Sequence, residues 1–447
     1  MFSTIKNAFK IPELRKKIYF TLFLLIVFRF GAHIPVPGLN PEAMSAFLGN
    51  GGMDLFSMFN VFTGGAFSNA TVMALGVSPY INASIIVQLL TVAIPALERL
   101  AREGAEGRKK INKITRYLGI ILAFVQGAGL YVTLHNMGVD PNYGGIKPIA
   151  NENVLSFFII VLTFVAGTAF IIWLGELITE KGLGNGVSMI IYAGIVSSIP
   201  SGIGLIYNNY FAAGWNVKGV IIAVAILIVA ILAITLVVFF NTAERKIPVQ
   251  YAKRVVGRKM YGGQSTNIPI KVVSGGVMPI IFASSIMAFP ATIVRLVTGG
   301  QIPQTGVWNT VLGCLSAGLS PLKWTYIVYA ALYFLLIIFF TYFYSSIQFN
   351  PIELANNMKK SGGYIPGYRP GKPTSDFISK VSTRLNFAGA LFLGVVAVMP
   401  IVIGAAFGIQ GLQIGGTSLL IMEGVALETV QQLESQMVMR HYKGFLE

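Results

Sequence analysis

Long apolar runs separated by short polar connectors dominate the chain. A helix that crosses a bilayer needs about 20 mostly apolar residues. Runs of that kind begin near Ile18, Ala74, Tyr117, Val154, Asn185, Gly219, Gly275, Trp324, Leu385 and Thr417, so ten spans are expected. Barrel strands would instead alternate over about 10 residues, and lipid tolerates only helices or closed barrels. The expected fold class is therefore an all-α polytopic membrane protein. One stretch is neither span nor loop: residues 60–72 (NVFTGGAFSNATV) are apolar but too short and too glycine-rich to cross. A re-entrant half-helix facing a protein-lined cavity is the expected solution, one that adds little buried area to the bundle.

Composition agrees. Of 447 residues, 54% are hydrophobic and only 11% charged, against about 25% charged in a soluble domain. Such a chain cannot cover a water-facing surface, which excludes a soluble globular protein. The basic N-terminus runs into a long apolar span with no small-residue cleavage site behind it, so no removable signal peptide is expected. The single Cys314 excludes an intramolecular disulfide framework, and His33, His135 and His441 are too scattered to form a metal site by spacing. No cofactor is implied.

The net charge of +16 acquires meaning from its location. An even number of spans places both termini on one side. With that side cytoplasmic, segments 1–17, 96–116, 175–184, 241–274, 348–384 and the tail hold 28 of the 33 Lys and Arg. Only Arg29, Lys147, Lys218, Arg295 and Lys323 fall elsewhere. That is the positive-inside pattern, so both termini are expected in the cytoplasm. Loops 241–274 and 348–384 are longer than connectors need, and their charge suits an anionic lipid surface, ribosomal RNA or an acidic partner.

The chain also repeats itself. Residues 76–86 (GVSPYINASII) match residues 276–286 (GVMPIIFASSI) at seven of eleven positions. Residues 186–191 (GVSMII) match 416–421 (GTSLLI) more weakly, at three of six. Span two thus pairs with seven and span five with ten, as expected if residues 18–210 and 211–434 are two five-helix halves. Five is odd, so the halves would be inverted about an axis in the membrane plane, and their corresponding Gly- or Pro-marked helices would meet near the midplane. Those four segments offer Ile81, Ile85, Val187, Ile191, Ile281 and Ile421, with Ser84, Ser188 and Ser284 beside them. A ring of branched aliphatics can close a pore by excluding water, and it can seal around varied cargo because apolar contact is non-directional.

At this point the chain resembles the SecY family, the channel subunits of the bacterial protein-conducting translocon. The stretches that carry the resemblance are ALGVSPYINASIIVQLL (74–90), EGAEGRKKINK (103–113), GLGNGVS (182–188), GQSTNIPIK (263–271), MPIIFASSIMAFP (278–290), YIPGYRPGKPT (364–374) and GGTSLLI (415–421). The resemblance implies a channel that passes unfolded secretory polypeptides across the membrane and releases apolar segments sideways into lipid. It implies that the six aliphatic residues form the pore ring. Residues 60–72 would be the plug, including Asn60, Phe62, Gly64, Gly65, Phe67 and Asn69. Spans two and three against seven and eight would form a lateral gate, with Gln88, Thr91, Ser284 and Ser285 as its polar residues. Lys253, Arg254, Arg258, Lys259 and Arg369 would dock a motor or ribosome. Implied partners are SecE and SecG subunits, the SecA motor ATPase, the ribosome, secretory precursors with signal sequences, and membrane lipid, all at the bacterial cell membrane. Tyr368 departs from the pattern, where an aliphatic residue is expected.

Rival chemistry is thin. The segment 367–374 (GYRPGKPT) lacks the four-residue gap of a phosphate loop and has Pro373 where Ser or Thr should bind magnesium, so no nucleotide hydrolysis and no enzyme activity are expected. Arg29 sits toward the outer end of the first span, where a snorkelling anchor or structural pairing is expected. The rival reading is an ion-coupled secondary transporter, supported by Glu423 and Glu428 in the inner half of the last span. Hydration of both carboxylates in a cytoplasmic vestibule is the competing expectation.

Overall fold

A computed structural model describes residues 2–49, 60–136, 147–210, 217–251, 254–256, 259–261, 265–273, 275–297, 311, 314, 323–407 and 416–443. The helices are α1 (Phe2–Lys10), α2 (Pro12–Gly31), α3 (Pro41–Gly49), α4 (Ser78–Ala93), α5 (Pro95–Arg102), α6 (Ala105–Asn136), α7 (Val154–Lys181), α8 (Gly186–Tyr210), α9 (Val217–Thr242), α10 (Met278–Val297), α11 (Lys323–Gln348), α12 (Pro351–Lys360), α13 (Lys372–Phe407) and α14 (Gly416–Lys443). Each apolar run predicted from sequence falls on one of them. Four stretches among the described residues are long and apolar enough to cross a membrane by length and composition: Ala105–Asn136, Val154–Lys181, Ile327–Lys360 and Lys372–Met399. A fifth is α4 with α5, bent by 101° at their break. Pro95 accounts for that bend, since it can start a helix but cannot continue one. The outward faces of α2, α7, α9 and α11 expose Phe23, Ile26, Leu155, Leu162, Leu227, Ile231, Leu335 and Phe339, side chains suited to lipid.

Small residues let the helices approach. On α6, Gly119 faces the backbone of Tyr80 and Gly127 faces Phe164, with Ala123 fully buried between them. This is the packing expected where helix association rests on close backbone contact. On α7, Gly167 lies so close to the Val72 carbonyl that a Cβ would clash with it.

The class is mostly helical, not all-α. The loop after α9 forms β1 (Glu244–Tyr251), β2 (Arg254–Val256), β3 (Lys259–Tyr261) and β4 (Ser265–Lys271), and β5 (Gly363–Tyr364) follows α12. Strands β4, β1 and β5 make one antiparallel sheet in that order, while β2 and β3 form a separate hairpin. Ile247 and Val249 point to one face of β1 and bury against Met358, Ile365 and Ile378. The two long basic loops are therefore one packed unit rather than two independent extensions.

Candidate functional site

Local chemistry at the starts of α4, α8 and α10 fixes where the predicted aliphatic residues fall. Gly76 and Gly276 both hold a left-handed φ of 57°, a conformation glycine adopts without the Cβ penalty. Two residues later α4 and α10 begin, each with proline next (Pro79 and Pro279), where its fixed φ and missing N–H fit the first turn. Asn185 caps α8, its side-chain oxygen accepting from Val187 N at 3.1 Å. Gly186 N donates to Thr179 Oγ1 at 2.9 Å, which pins the start of α8 to α7.

These starts bring five of the six predicted aliphatics together. Ile81 from α4, Val187 and Ile191 from α8, Ile281 from α10 and Ile421 from α14 share one apolar cluster, with Ile421 only 1% exposed. Val277, Met278, Ile195 and Val425 join them. The sixth, Ile85, lies one turn beyond Ile81 and packs in a neighbouring cluster with Ile280, Ala283, Met287 and Leu420. Ile81 touches both clusters, so Ile85 belongs to the α4–α10 seam more than to the ring. Residues four apart on a helix share a face but not a depth, which sets Ile85 in the neighbouring cluster.

Residues 60–72 are not the half-helix expected. Helical backbone covers only residues 60–62 of the described part, and turns run from 63 through 77 apart from a bridge residue at Thr71. Gly64, Gly65 and Ala70 have φ of 65°, 87° and 48°, which no helix accommodates. Side chains replace the missing backbone ladder: Asn60 Oδ1 accepts from Ser68 N at 2.9 Å, and Ser68 Oγ donates to Gly65 O at 2.8 Å. Arg29 Nη1 donates to the Gly64 carbonyl, so the span-one arginine has a structural partner. Val61 and Phe62 pack onto the ring cluster, and the Phe62 carbonyl approaches Gly194 of α8 so closely that a Cβ there would clash.

The rest of the segment is core. Ala66, Phe67 and Ala70 are buried, Phe67 against Val36, Ile160 and Phe164, while Asn69 is exposed. Val36 N donates to Ala70 O and Val72 N to Ile34 O, both at 2.9 Å. The expectation that residues 60–72 contribute little buried area is wrong for 66–72.

At the proposed gate, α10 packs against both α4 and α6, and against α11. Gln88 Nε2 donates to Ser84 Oγ at 3.3 Å, Thr91 Oγ1 to Gln88 O at 2.6 Å and Ser284 Oγ to Ile281 O at 2.9 Å. Each of these bonds stays within its own helix. Ser285 is half-buried on α10. Apolar contact through Ile85, Ile280, Ala283 and Met287 forms the seam between α4 and α10.

In the basic loops, Lys253 and Arg258 lie outside the described residues, and Arg254 and Lys259 sit on the β2–β3 hairpin, whose register pairs Arg254 with Tyr261 and Val256 with Lys259. Arg369 is exposed in the turn after β5. Tyr368 N donates to Ile365 O at 3.0 Å and Thr374 Oγ1 to Arg369 O at 2.8 Å. The Tyr368 ring lies 4.2 Å from that of Phe377, so the unusual residue fixes the turn against α13.

Glu423 and Glu428 separate. Glu428 is exposed. Glu423 is 7% exposed and accepts a 2.6 Å hydrogen bond from Asn241 Nδ2 on α9, so its expected hydration is wrong. Among the described residues no group of three His, Cys, Asp or Glu could hold a metal.

Helices long and apolar enough to cross a membrane, four of the chain's helices meeting in one apolar cluster and a buried glycine-marked loop packed on it are the architecture of a multi-pass membrane protein. Comparison gives its kind. The SecY family profile matches residues 71–430. Over the full length of both chains the sequence is 46% identical to protein translocase subunit SecY of Halalkalibacterium halodurans and 44% identical to that of Streptomyces galbus. A solved structure of a protein conducting channel covers 94% of this chain and 92% of its own at TM-score 0.64 and 21% identity. Another, concerning the plug domain of the SecY protein, gives TM-score 0.66 at 22% identity with the same coverage. The chain is thus a multi-pass membrane channel subunit of a protein translocase. It belongs to the SecY family.

Proposed function

We propose that this subunit seals its resting pore with Ile81, Val187, Ile191, Ile281 and Ile421, parts them around an unfolded secretory chain, and releases apolar segments sideways between α4 and α10. The observation that carries this reading is the convergence of those five residues from four helices in one apolar cluster, with Val61 and Phe62 packed on it. The helices at residues 18–210 and 211–434 are read as two inverted halves of five crossings each. Equal left-handed glycines before Pro79 and Pro279 support that pairing. Segments 1–17 and 435–447 are read as cytoplasmic on the positive-inside pattern, in a bacterial cell membrane. A photoreactive residue at Ile281 should crosslink to a stalled secretory precursor and not to a cytosolic protein of similar length. Absence of precursor adducts there, with adducts forming elsewhere on the channel, would take Ile281 out of the path of the secretory chain.

The sheet that joins the two long loops is read as the docking platform for the SecA motor or the ribosome, with SecE and SecG as further subunits. A structural neighbour is Sec61 in a canine ribosome–channel complex, matched at TM-score 0.61. Arg369 stands exposed on a turn braced by Tyr368, Pro366 and Pro370. Its planar fork suits a carboxylate or phosphate in a way Lys cannot copy. Arg369→Lys should slow precursor export into inverted vesicles severalfold, and Arg369→Glu should slow it further, with channel content and topology unchanged. Positive-inside counting treats Lys and Arg alike, so wild-type rates for both variants would reduce Arg369 to an orientation charge.

A further inference from the structure

Glu423 follows Ile421 by two residues on α14, about 3 Å further along the axis, so displacing one displaces the other. Its carboxyl is only half satisfied: Oε2 accepts from Asn241, whereas Oε1 is buried with no hydrogen-bond partner among the described residues. Leu420 and Leu427 on its own helix are buried, as is Val237 one turn before Asn241 on α9. Protonation does not rescue Oε1, which would then be a hydroxyl without an acceptor or remain an unpaired acceptor. A group of this kind raises the free energy of the state that buries it. A purely structural pairing has no use for it, because apolar side chains of similar volume commonly replace a buried charged group without loss.

We propose that Glu423 is a built-in destabiliser of the sealed ring: its orphaned oxygen makes the closed packing costly and gains water when α14 carries Ile421 out of the seal. Asn241 limits the effect by satisfying the other oxygen, and because Asn241 is half-exposed it loses little when that bond breaks. The gate is thereby held close to its opening threshold, which suits a channel that must respond to a short apolar signal. This inference rests on the reading of the ring as the seal.

The test uses the full channel, reconstituted with its partner subunits in vesicles, and reads resting ion conductance and export of a precursor with a shortened apolar signal. Glu423→Met fills the same space without polar atoms. It should lower the open-to-closed ratio about fivefold to thirtyfold, the factor for relief of one unsatisfied group, and raise the thermal midpoint of the purified channel. Glu423→Gln, still polar and still able to accept from Asn241, should stay near wild type. Asn241→Leu leaves both oxygens unpaired and should raise conductance. Ile421→Asn in the same vesicles separates the two ideas. If it is silent, the ring reading falls and this one with it. If it leaks while Glu423→Met matches or exceeds wild-type conductance, or melts at a lower temperature, Glu423 is a clasp and the destabiliser is overturned.

Discussion

Replacing Ile421 by Asn should leave a resting channel that leaks ions and exports precursors whose signals are defective. Ile421 is nearly fully buried in the cluster that also holds Ile81, Val187, Ile191 and Ile281. Full burial of such a side chain is worth about 1.5–3 kcal/mol, and an amide left unpaired among aliphatics costs about 1–3 kcal/mol more. Both losses fall on the closed state, because in a wet open pore the amide is hydrated. The open-to-closed ratio should therefore rise at least about tenfold. Ile281→Asn should act in the same direction, while Ile85→Asn should act mainly on the α4–α10 seam, since Ile85 packs there. Planar-bilayer conductance and export of a signal-defective precursor are the two readouts. Wild-type values of both for Ile421→Asn would remove the ring assignment.

What the sequence made legible, it did through local rules that survive folding. The recurrence of glycine two residues before the helix and proline just inside it marked α4 and α10 correctly, because left-handed φ and proline's fixed φ are properties of the residue. Ile81 and Ile281, at matched offsets from those matched helix starts, meet in one apolar cluster. The sheet stayed hidden for an equally local reason. Strand β1 carries Pro248 and β4 carries Pro269, and proline inside a run argues against a paired strand. In the fold β5 reaches only Gln250 and Tyr251, so the side of β1 at Pro248 is not asked to donate to it. Residues 60–72 were misread because their apolar content suggests a helix, whereas Gly64 and Gly65 supply positive φ and the hydroxyl and amide side chains close the turns. Burial of Glu423 could not be read at all. It depends on α9 and α14 lying side by side, and Asn241 stands 182 positions away in sequence.

The division of residues 60–72 at Gly65 decides what deletion of this segment will do. Residues 60–65 touch the ring cluster through Val61 and Phe62 and are tied down by the Arg29 bond to Gly64. Residues 66–72 bury Ala66, Phe67 and Ala70, and bridge Pro35 through Thr71. Removing 60–65 should raise resting conductance while the protein still accumulates in the membrane. Removing 60–72 should instead deplete it, since losing a buried Phe alone costs about 3–5 kcal/mol against a total stability of about 5–15 kcal/mol. Arg29→Met tests the same seat without shortening the chain. It deletes a charge-assisted bond worth about 1.5–3 kcal/mol and should produce a leak of the same kind, smaller than that of Ile421→Asn because the ring stays intact. Membrane level by quantitative blot and conductance in the same vesicles separate the outcomes. Normal levels of the 60–72 deletion would show the second part to be dispensable. Unchanged conductance in both the 60–65 deletion and Arg29→Met would show that the ring seals alone.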